Sequence, residues 1–262
     1  MQVSSIIEHI INWLKSYAAQ ANSKGFVVGV SGGIDSAVTS TLASRTMLPT
    51  LCLEMPIHQA SSQVTRAQNH ISHLQQSYPN ASSHRVDLTP VFDHFVSAMP
   101  LVDEGSSRQL SLANTRARLR MSTLYYFSAL NSYLVAGTGN KVEDFGVGFF
   151  TKYGDGGVDL SPIADLNKSE VYALGKELQI SEEIMLASPT DGLFGDNRSD
   201  EDQLGASYDE LEWAMSFNEE HAGKLTSRQT EVLEIYGKLR RANQHKMQPI
   251  PVCCIPEELR SN

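Results

Sequence analysis

Apolar residues recur along this chain in two distinct periods. Between residues 3 and 21 they return every three or four positions, which predicts an amphipathic helix that either covers a sheet or contacts another subunit. Short apolar runs predict four strands, at 26–30, 50–55, 84–88 and 132–136. Helices are predicted between them, at 36–46, 59–76 and 111–130. This alternation predicts an α/β fold with right-handed crossovers, that is, a doubly wound, mostly parallel sheet with helices on both faces.

The strand pattern ends after residue 160, and segments 168–178 and 208–221 have the spacing of helices. Between them, the polar, glycine-bearing segment 188–202 has two interpretations: a disordered surface loop, or a lid that closes over a reactive intermediate. The sequence contains no internal repeat, low-complexity tract or obvious linker. We therefore expect a single domain over residues 1–262, with a helical C-terminal elaboration.

Composition and charge argue against several classes of function. The chain has 262 residues, of which 41% are hydrophobic and 19% charged, as in an ordinary globular protein. A formal net charge of -9 argues against nucleic acid or an anionic membrane as a broad partner. The 3 cysteines, Cys52, Cys253 and Cys254, show no zinc-binding spacing, so a reducing cytoplasm is the simplest setting. No segment has the pattern of a signal peptide or the length of a membrane-spanning run.

The junction between the first strand and the next helix has the character of a phosphate-binding loop. Ser-Gly-Gly-Ile-Asp-Ser, at 31–36, follows the apolar strand directly. Adjacent glycines let the backbone approach a ligand, and amides at a helix N-terminus point toward an anion. Unlike a Walker A loop, this loop has no Lys beside its last Ser, and its Asp35 can face phosphate only through a metal ion. A simple strand-to-helix turn with a Ser or Asp cap is the alternative interpretation.

A second strand end carries another acidic residue. The apolar segment 134–136 ends in Gly-Thr-Gly-Asn-Lys at 137–141, and Glu143 follows. Because the carboxyl ends of parallel strands meet at one edge of the sheet, Glu143 is expected to meet Asp35 across Mg²⁺. Taken alone, Glu143 is typical of an acidic residue at a helix start.

The stretch after Glu143 narrows the interpretation to one family. Gly-Phe-Phe-Thr-Lys-Tyr-Gly-Asp-Gly-Gly occupies 148–157 and is followed by Pro and then by Asp-Leu-Asn-Lys at 165–168. The Ser-Gly-Gly-x-Asp-Ser loop resembles that of the ATP pyrophosphatase superfamily, whose members cleave ATP between the α and β phosphates. With the downstream string, the chain resembles NAD synthetase from about Gly29 to its Pro-rich C-terminus.

This resemblance implies an amide-forming ligase with an adenine nucleotide alpha hydrolase-like fold. In that family ATP adenylates the nicotinate carboxylate of deamido-NAD, pyrophosphate leaves, and ammonia displaces AMP to give NAD⁺. The residue types suit this chemistry, because adenylation gives a poor acyl donor a good leaving group. Mg²⁺, loop amides and a Lys stabilise the charge that develops on pyrophosphate. The resemblance also implies a homodimer with the dinucleotide site near the subunit boundary.

Matched position by position, the resemblance implies catalytic roles for Asp35, Glu143, Asp155 and Lys168, with Asp35 and Glu143 as Mg²⁺ ligands. Lys168 supplies the cation that the loop lacks, and Asp155 holds ammonium and helps to remove a proton during its attack. The implied ATP-binding residues are Gly29, Val30, Ser31, Gly32, Gly33, Ile34, Asp35, Ser36, Thr138, Lys168 and Thr190. The implied deamido-NAD-binding residues are Arg118, Lys152, Asp159, His245 and Lys246.

Two departures from the family pattern leave one assignment open. Gly139-Asn140-Lys141 stands where many single-domain members carry Asp-His-Ala. The stretch from Glu143 to the Thr-Lys-Tyr-Gly-Asp string is also one residue longer than theirs. A shift of one position would make Asp144, instead of Glu143, the metal ligand.

Features outside these motifs indicate the nitrogen donor and distinguish this function from its rivals. The short segment before the phosphate loop leaves no room for an N-terminal glutaminase domain, so free ammonia is the expected donor, while a separate glutamine-hydrolysing partner stays open.

One rival is another ligase of the superfamily, such as GMP synthetase, which lacks the string at 151–157. A second rival, a tRNA thiolation enzyme, is expected to show catalytic cysteines and a basic face, and this acidic sequence shows neither. A non-catalytic ATP-binding module needs fewer charged groups than this chain carries.

Overall fold

Four parallel strands form the central sheet of this protein, which the computed structural model describes over residues 1–100, 105–190, 199–218 and 224–260. The strands are β1 (Gly25–Gly29), β2 (Thr50–Glu54), β3 (Ala81–Arg85) and β4 (Tyr133–Val135). Their order in space is β3-β2-β1-β4, with Val27 paired to Leu51 on one side and to Val135 on the other. The apolar β1 and β2 are therefore the inner strands, as expected for runs that are buried on both faces.

Helices connect the strands and extend beyond the sheet. The α-helices of the described chain are α1 (Val3–Gln20), α2 (Ile34–Arg45), α3 (Ser61–Ser77), α4 (Thr89–Ser97), α5 (Ser106–Asn131), α6 (Lys168–Glu177), α7 (Glu182–Met185), α8 (Asp200–Leu204), α9 (Tyr208–Ser216) and α10 (Ser227–Met247). A π-helix covers Val142–Val147, and a short 3₁₀ turn covers Glu257–Leu259. Capping boxes start α6, α8, α9 and α10, so local sequence fixes where these helices begin.

Alternating side chains of β1 feed two hydrophobic clusters, one on each face of the sheet. Phe26 and Val28 pack with α1, α2 and α6. Val27 instead joins Leu51 and Leu53 of β2 against α4 and α5. The period of two along a strand thus places helices on both faces, which confirms the predicted doubly wound architecture.

The C-terminal helices form a separate cluster with the π-helix. Val142 and Val147 of the π-helix pack with Leu211 of α9 and Val232 of α10. This cluster holds the chain after β4 against the C-terminal part of the molecule. It therefore positions the acidic residues of the π-helix beside the sheet edge.

Several element boundaries differ from the sequence-based expectations. β3 begins three residues before the predicted strand at 84–88, because this edge strand is polar and mostly exposed and the apolar residues Val86 and Leu88 follow it. The helix expected at 208–221 ends at Ser216. Helices α4, α7, α8 and α10 and the π-helix were not predicted from the sequence. Of the segment interpreted as a loop or a lid, residues 191–198 lie outside the described chain, and both interpretations stay open.

None of the helices in the described residues combines the length and the apolar character that a membrane-spanning segment needs.

Candidate active site

The phosphate loop lies where β1 ends and α2 begins. Two serines close the turn: the Ser31 amide donates to Ser36 Oγ at 3.2 Å, and Ser36 Oγ donates to the carbonyl oxygen of Gly33 at 3.0 Å. Because α2 begins at Ile34, its first backbone amides have no partner inside the helix. Asp35 and Ser36 occupy this first turn and line the adjoining cleft. The turn is therefore built to receive an anion.

Gly32 is the position of the loop that no other residue fills without strain. Its φ is +84°, in the region that side chains with a Cβ rarely adopt, and a Cβ there would lie 2.6 Å from the carbonyl oxygen of Gln63. Arg66 Nε donates to the Gly32 carbonyl at 3.2 Å. Helix α3 thus packs directly on the back of the phosphate loop.

A cleft of about 270 Å³ opens beside the loop, at the carboxyl edge of the sheet. Its walls come from the ends of β1, β2 and β4, from the π-helix and from the segment before residue 191. The predicted ATP-binding residues that line it are Gly29, Val30, Ser31, Gly33, Ile34, Asp35, Ser36, Thr138, Lys168 and Thr190. The structure therefore brings the ends of separate strands into one cavity.

Lys168 connects the two acidic residues that were predicted to face each other. Its ammonium nitrogen lies 2.6 Å from Asp35 Oδ2 and 3.2 Å from Glu143 Oε1. The lysine side chain is only 4% exposed, and it is the first residue of α6. Residues that lie more than a hundred positions apart in sequence thus form one charged group at the edge of the cleft.

The two carboxylates stabilise the charged form of Lys168. Burial alone disfavours the charged form of Lys168, but the negative charges of Asp35 and Glu143 outweigh that effect and raise its pKa above the usual range. The ammonium is therefore charged at neutral pH. Two carboxylates around one ammonium still leave an excess of negative charge, so phosphate needs a further cation, such as a metal ion, to bind beside this group.

The donor set of Asp35 and Glu143 fits a magnesium ion. Both carboxylates already converge on one cation, the Lys168 ammonium, from two different elements, α2 and the π-helix. In the described parts of the chain, no group of three His, Cys, Asp or Glu side chains has a metal-binding arrangement. Mg²⁺ commonly takes one or two carboxylates and completes its shell with phosphate oxygens and water.

The π-helix explains why Glu143, and not Asp144, faces Lys168. A π-helix carries more residues per turn than an α-helix, so it can accommodate the additional residue after Glu143. Asp144 turns instead toward Gly139, where a Cβ would collide with its carboxylate. Desolvation, reinforced by the charge of Glu143, raises the pKa of Asp144 to about 8. Glu143 is thus the carboxylate of this pair that lies beside Lys168.

Asp155 also lines this cleft. Its Oδ1 accepts a hydrogen bond from the Thr151 amide at 3.0 Å, within the turn that the Thr-Lys-Tyr-Gly-Asp string forms. Although the residue is accessible from the cleft, the surrounding protein desolvates its carboxylate and raises its pKa to about 6. Glu143 adds to this rise, whereas Lys246 opposes it. Asp155 therefore titrates closer to neutrality than an ordinary Asp.

The five predicted dinucleotide-binding residues lie outside the lining of this cleft, as far as the described chain goes. Arg118 contacts the Lys152 carbonyl at 3.4 Å, and Lys152 Nζ donates to the His245 carbonyl at 3.0 Å. Lys246 Nζ donates to the Phe150 carbonyl at 2.6 Å. These four residues share one basic surface between α5, the 148–157 segment and α10.

Asp159 stands apart from the other four. Its Oδ2 accepts from the Val135 amide at 2.8 Å, and its Oδ1 accepts from the Tyr125 hydroxyl at 3.0 Å. In this structure the side chain therefore ties the end of β4 to α5. Arg118 faces away from Arg120, which donates to the Met55 carbonyl on the other side of α5, because side chains two positions apart lie on different faces of a helix.

Two buried polar residues of the site had no role in the sequence analysis. Asn140 is fully buried and donates to Asp35 Oδ1 at 3.1 Å. Tyr208 donates its hydroxyl to Glu143 Oε1 at 2.6 Å, and its ring lies 4.6 Å from the Lys168 ammonium. Burial and the charge of Glu143 raise the pKa of Tyr208, so the phenol stays protonated. No local pattern signals Tyr208, because its partner lies 65 positions away.

The fold and the site define the class of protein first. Three features are typical of ATP-using enzymes of the ATP pyrophosphatase, or PP-loop, class. They are the parallel sheet, the glycine-rich loop at the start of α2 and the lysine held by two carboxylates. The structure of NMN synthetase from Francisella tularensis superposes with a TM-score of 0.85 at 29% identity, covering 98% of this chain and 99% of that one. The NH3-dependent NAD synthetase of Campylobacter jejuni gives a TM-score of 0.76 at 28% identity, covering 97% and 100%.

Sequence comparison identifies the family. The family model described as NAD synthase matches residues 6–250. An NH(3)-dependent NAD(+) synthetase from Carboxydothermus hydrogenoformans is 35% identical over 240 residues, which are 91% of this chain and 93% of that protein. Another from Syntrophomonas wolfei is 33% identical over the full length of both. This chain belongs to the NAD synthase family, which confirms the resemblance found in its motifs.

Proposed function

We propose that this protein catalyses the ATP-dependent amidation of deamido-NAD to NAD⁺, with ammonia as the nitrogen donor and AMP and pyrophosphate as by-products. The observation that carries the proposal is the convergence of Asp35, Glu143 and Lys168 beside the phosphate loop. Relatives named NH(3)-dependent NAD(+) synthetases, similar over most of the chain, support the choice of substrate and donor. We infer that residues 1–262 act as one synthetase domain.

The first step is adenylation of the nicotinate carboxylate. Amides at the start of α2 and the hydroxyls of Ser31 and Ser36 bind the ATP phosphates. The Lys168 ammonium stabilises the negative charge that develops on the departing pyrophosphate. Thr138 and Thr190 complete the ATP site from the other walls of the cleft.

Magnesium is the metal we assign to this step. Asp35 and Glu143 are the residues that would hold it, and the ion would neutralise phosphate charge and orient the triphosphate. Their carboxylates fit this role because both lie within reach of one bound cation, the Lys168 ammonium.

The second step is attack of ammonia on the adenylated carboxylate. Asp155 faces the cleft, and its carboxylate holds ammonium and helps to remove a proton as the C–N bond forms. Arg118, Lys152, His245 and Lys246 bind the dinucleotide from the basic surface beside the cleft, together with Asp159. We infer that the enzyme works in the cytoplasm as a homodimer; the free thiols of Cys52, Cys253 and Cys254 support a reducing compartment.

A second candidate substrate comes from the structural comparison. The Francisella protein with a TM-score of 0.85 is named an NMN synthetase. Nicotinate mononucleotide presents the same carboxylate as deamido-NAD but lacks the adenylate half. The chemistry at Lys168 and Asp155 is the same for both acids, so only the basic surface outside the cleft distinguishes them.

A product assay tests the function and separates the two substrates. Purified protein is incubated with ATP, Mg²⁺ and either deamido-NAD or nicotinate mononucleotide, with ammonium or glutamine as donor. We expect equal amounts of NAD⁺, AMP and pyrophosphate from deamido-NAD and ammonium. Faster turnover of the mononucleotide would establish the second candidate. Release of ADP and phosphate, or no turnover of either acid, would falsify the ligase assignment.

A further inference from the structure

Asn140 lies between the two candidate metal ligands, although it is not part of the phosphate loop. Its side-chain Nδ2 donates to Asp35 Oδ1 at 3.1 Å. Its Oδ1 accepts from the backbone amides of Val142 and Glu143, at 3.1 Å and 3.2 Å. One amide group therefore contacts the first turn of α2 and the first turn of the π-helix at once.

The orientation of this amide is fixed by its partners. The Asp35 carboxylate accepts hydrogen bonds only, whereas the two backbone N–H groups only donate. A flipped amide would place oxygen against oxygen and N–H against N–H, so a single orientation satisfies all three partners. Asn140 is 0% exposed, and water does not compete for these bonds.

Asn140 also caps the helical turn that begins at Lys141 and continues into the π-helix that carries Glu143. Its side-chain oxygen receives the amides two and three positions ahead, as in an Asx cap, and its backbone carbonyl accepts from the Asp144 amide at 2.9 Å. The start of the π-helix is thus set by this residue. Glu143, at the second position of that helix, is held by the same contacts.

We propose that Asn140 is a positioning residue of the reaction: its amide sets the separation of the Asp35 and Glu143 carboxylates and so prepares them for a divalent cation. Lys168 cannot fulfil this role alone, because a flexible ammonium attracts both carboxylates without fixing the direction of either. This inference rests on the proposed function, since it assigns Asp35 and Glu143 to the metal. Groups that orient metal ligands typically contribute about 10–100-fold to metal affinity or activity.

Mn²⁺ binding followed by electron paramagnetic resonance, in the presence of α,β-methylene-ATP, tests the inference without turnover. The variants are Asn140→Ala, which removes the donor and the acceptor, and the isosteric Asn140→Asp, which places an oxygen against Asp35. We expect both to bind Mn²⁺ about 10–100-fold more weakly than the wild type. Steady-state kinetics should show a matching rise in the Mg²⁺ requirement and a fall in kcat, with KM for deamido-NAD unchanged.

Asn80→Ala is the matched control for loss of a bridging amide. Asn80 Nδ2 donates to the carbonyls of Ser44 and Leu48, at 2.9 Å and 2.7 Å, at the end of the sheet away from the cleft. We expect this variant to lower the melting temperature and to leave Mn²⁺ affinity unchanged. If Asn140→Ala fails to fold, the isosteric Asn140→Asp decides the question.

Two results would overturn the inference. One is Mn²⁺ affinity equal to that of the wild type in folded Asn140→Asp; the other is an equal loss of affinity in Asn80→Ala. A wild-type protein that binds no Mn²⁺ with the ATP analogue would overturn the proposed function itself. The two failures are distinguishable, because only the second appears before any substitution is made.

Discussion

At the scale of single residues, Lys168 organises the charged group beside the phosphate loop. A lysine that is 4% exposed is tolerated only because two carboxylates meet its ammonium and Tyr208 covers it. Removing either carboxylate takes away one of the two negative charges that most raise the pKa of Lys168, whereas removing the lysine leaves the two carboxylates without their shared cation. The charge arrangement therefore depends on all three residues together, and single substitutions among them are not additive.

Substitution of the two candidate metal ligands tests this arrangement directly. Asp35→Asn and Glu143→Gln keep the size of each side chain but remove the charge that a divalent cation needs. We expect each variant to remain folded and to lose about 100-fold or more of its Mg²⁺-dependent activity. Initial rates over a Mg²⁺ titration, with circular dichroism as the check on folding, measure both effects.

Asp144→Asn is the matched control, because Asp144 is adjacent in sequence but turns toward Gly139. With its pKa raised to about 8, Asp144 is mostly protonated at neutral pH, so loss of its charge should change activity little. An inactive Asp144→Asn beside an active Glu143→Gln would show that the metal ligand is shifted by one position.

The raised pKa of Asp155 predicts a pH dependence of ammonia use. Its carboxylate must be ionised to hold ammonium, and its pKa lies at about 6 instead of the ordinary 3.8. We therefore expect kcat/KM for ammonium to rise as pH increases through about 6 and then to level off. The profile is measured at constant ammonium ion concentration. An inflection near the ordinary value would contradict the assignment, and Asp155→Asn should lack the inflection altogether.

Local sequence was sufficient to predict some of these residues and insufficient for others. Asp35 and Glu143 follow the ends of two strands, so their convergence was predicted from parallel topology, whereas Lys168 was assigned only through the family resemblance. Asn140 was visible in the sequence but had no assignable role, because its partner Asp35 lies 105 positions away. Such contacts depend on tertiary packing, which no short-range pattern encodes.

At the scale of secondary-structure elements, the π-helix is the feature that most affects the site. Strands β1 and β2 and helices α1, α2 and α3 were predicted close to their observed positions, because their apolar residues follow clear periods. The π-helix and α10 were not predicted. The π-helix depends on the one additional residue after Glu143. Helix α10 is mostly polar and buries little beyond Val232.

Side chains of helix α10 donate hydrogen bonds to backbone carbonyl groups at the C-terminal end of the π-helix. Arg240 donates to the carbonyls of Phe145 and Gly146, the latter at 3.0 Å, and Asn243 donates to that of Val147 at 2.9 Å. We predict that Arg240→Ala releases the C-terminal end of the π-helix and lowers Mg²⁺-dependent activity about tenfold, through Glu143. The measurement is kcat over a Mg²⁺ titration.

Arg241→Ala is the control for that prediction. It removes the same side chain from the neighbouring position of α10, where the arginine packs against Gly237 of its own helix. Activity should stay at the wild-type level. Equal losses in both variants would mean that basic charge on α10, and not the hold on the π-helix, supports activity.

At the scale of the whole molecule, the structure changes which surfaces are available for a second subunit. The sequence left α1 open as either a cover for the sheet or a subunit contact, and it allowed the predicted helix at 111–130 as a second subunit contact. Ile7, Ile11 and Leu14 of α1 are buried in the cluster that also contains α2 and α6. The apolar face of α1 is therefore used within the chain, and an amphipathic pattern by itself could not distinguish these two uses.

Helix α5 instead presents apolar side chains to solvent. Tyr126 and Leu130 are 63% and 66% exposed, and their spacing of four places them on one helical face. Arg118 of the basic surface lies on the same helix. A subunit contact through α5 would therefore bring the partner close to the dinucleotide-binding residues, in agreement with the proposed homodimer.

Sedimentation velocity tests this arrangement. We predict that the wild type sediments as a dimer and that the double variant Tyr126→Glu/Leu130→Glu sediments as a monomer, because two carboxylates cannot be buried in an apolar contact without partners. Leu186→Glu, at an apolar position that is 77% exposed at the end of α7, should remain dimeric. If the double variant also remains dimeric, the contact lies elsewhere. If the dissociated monomer keeps its affinity for deamido-NAD, the dinucleotide site does not depend on the subunit boundary.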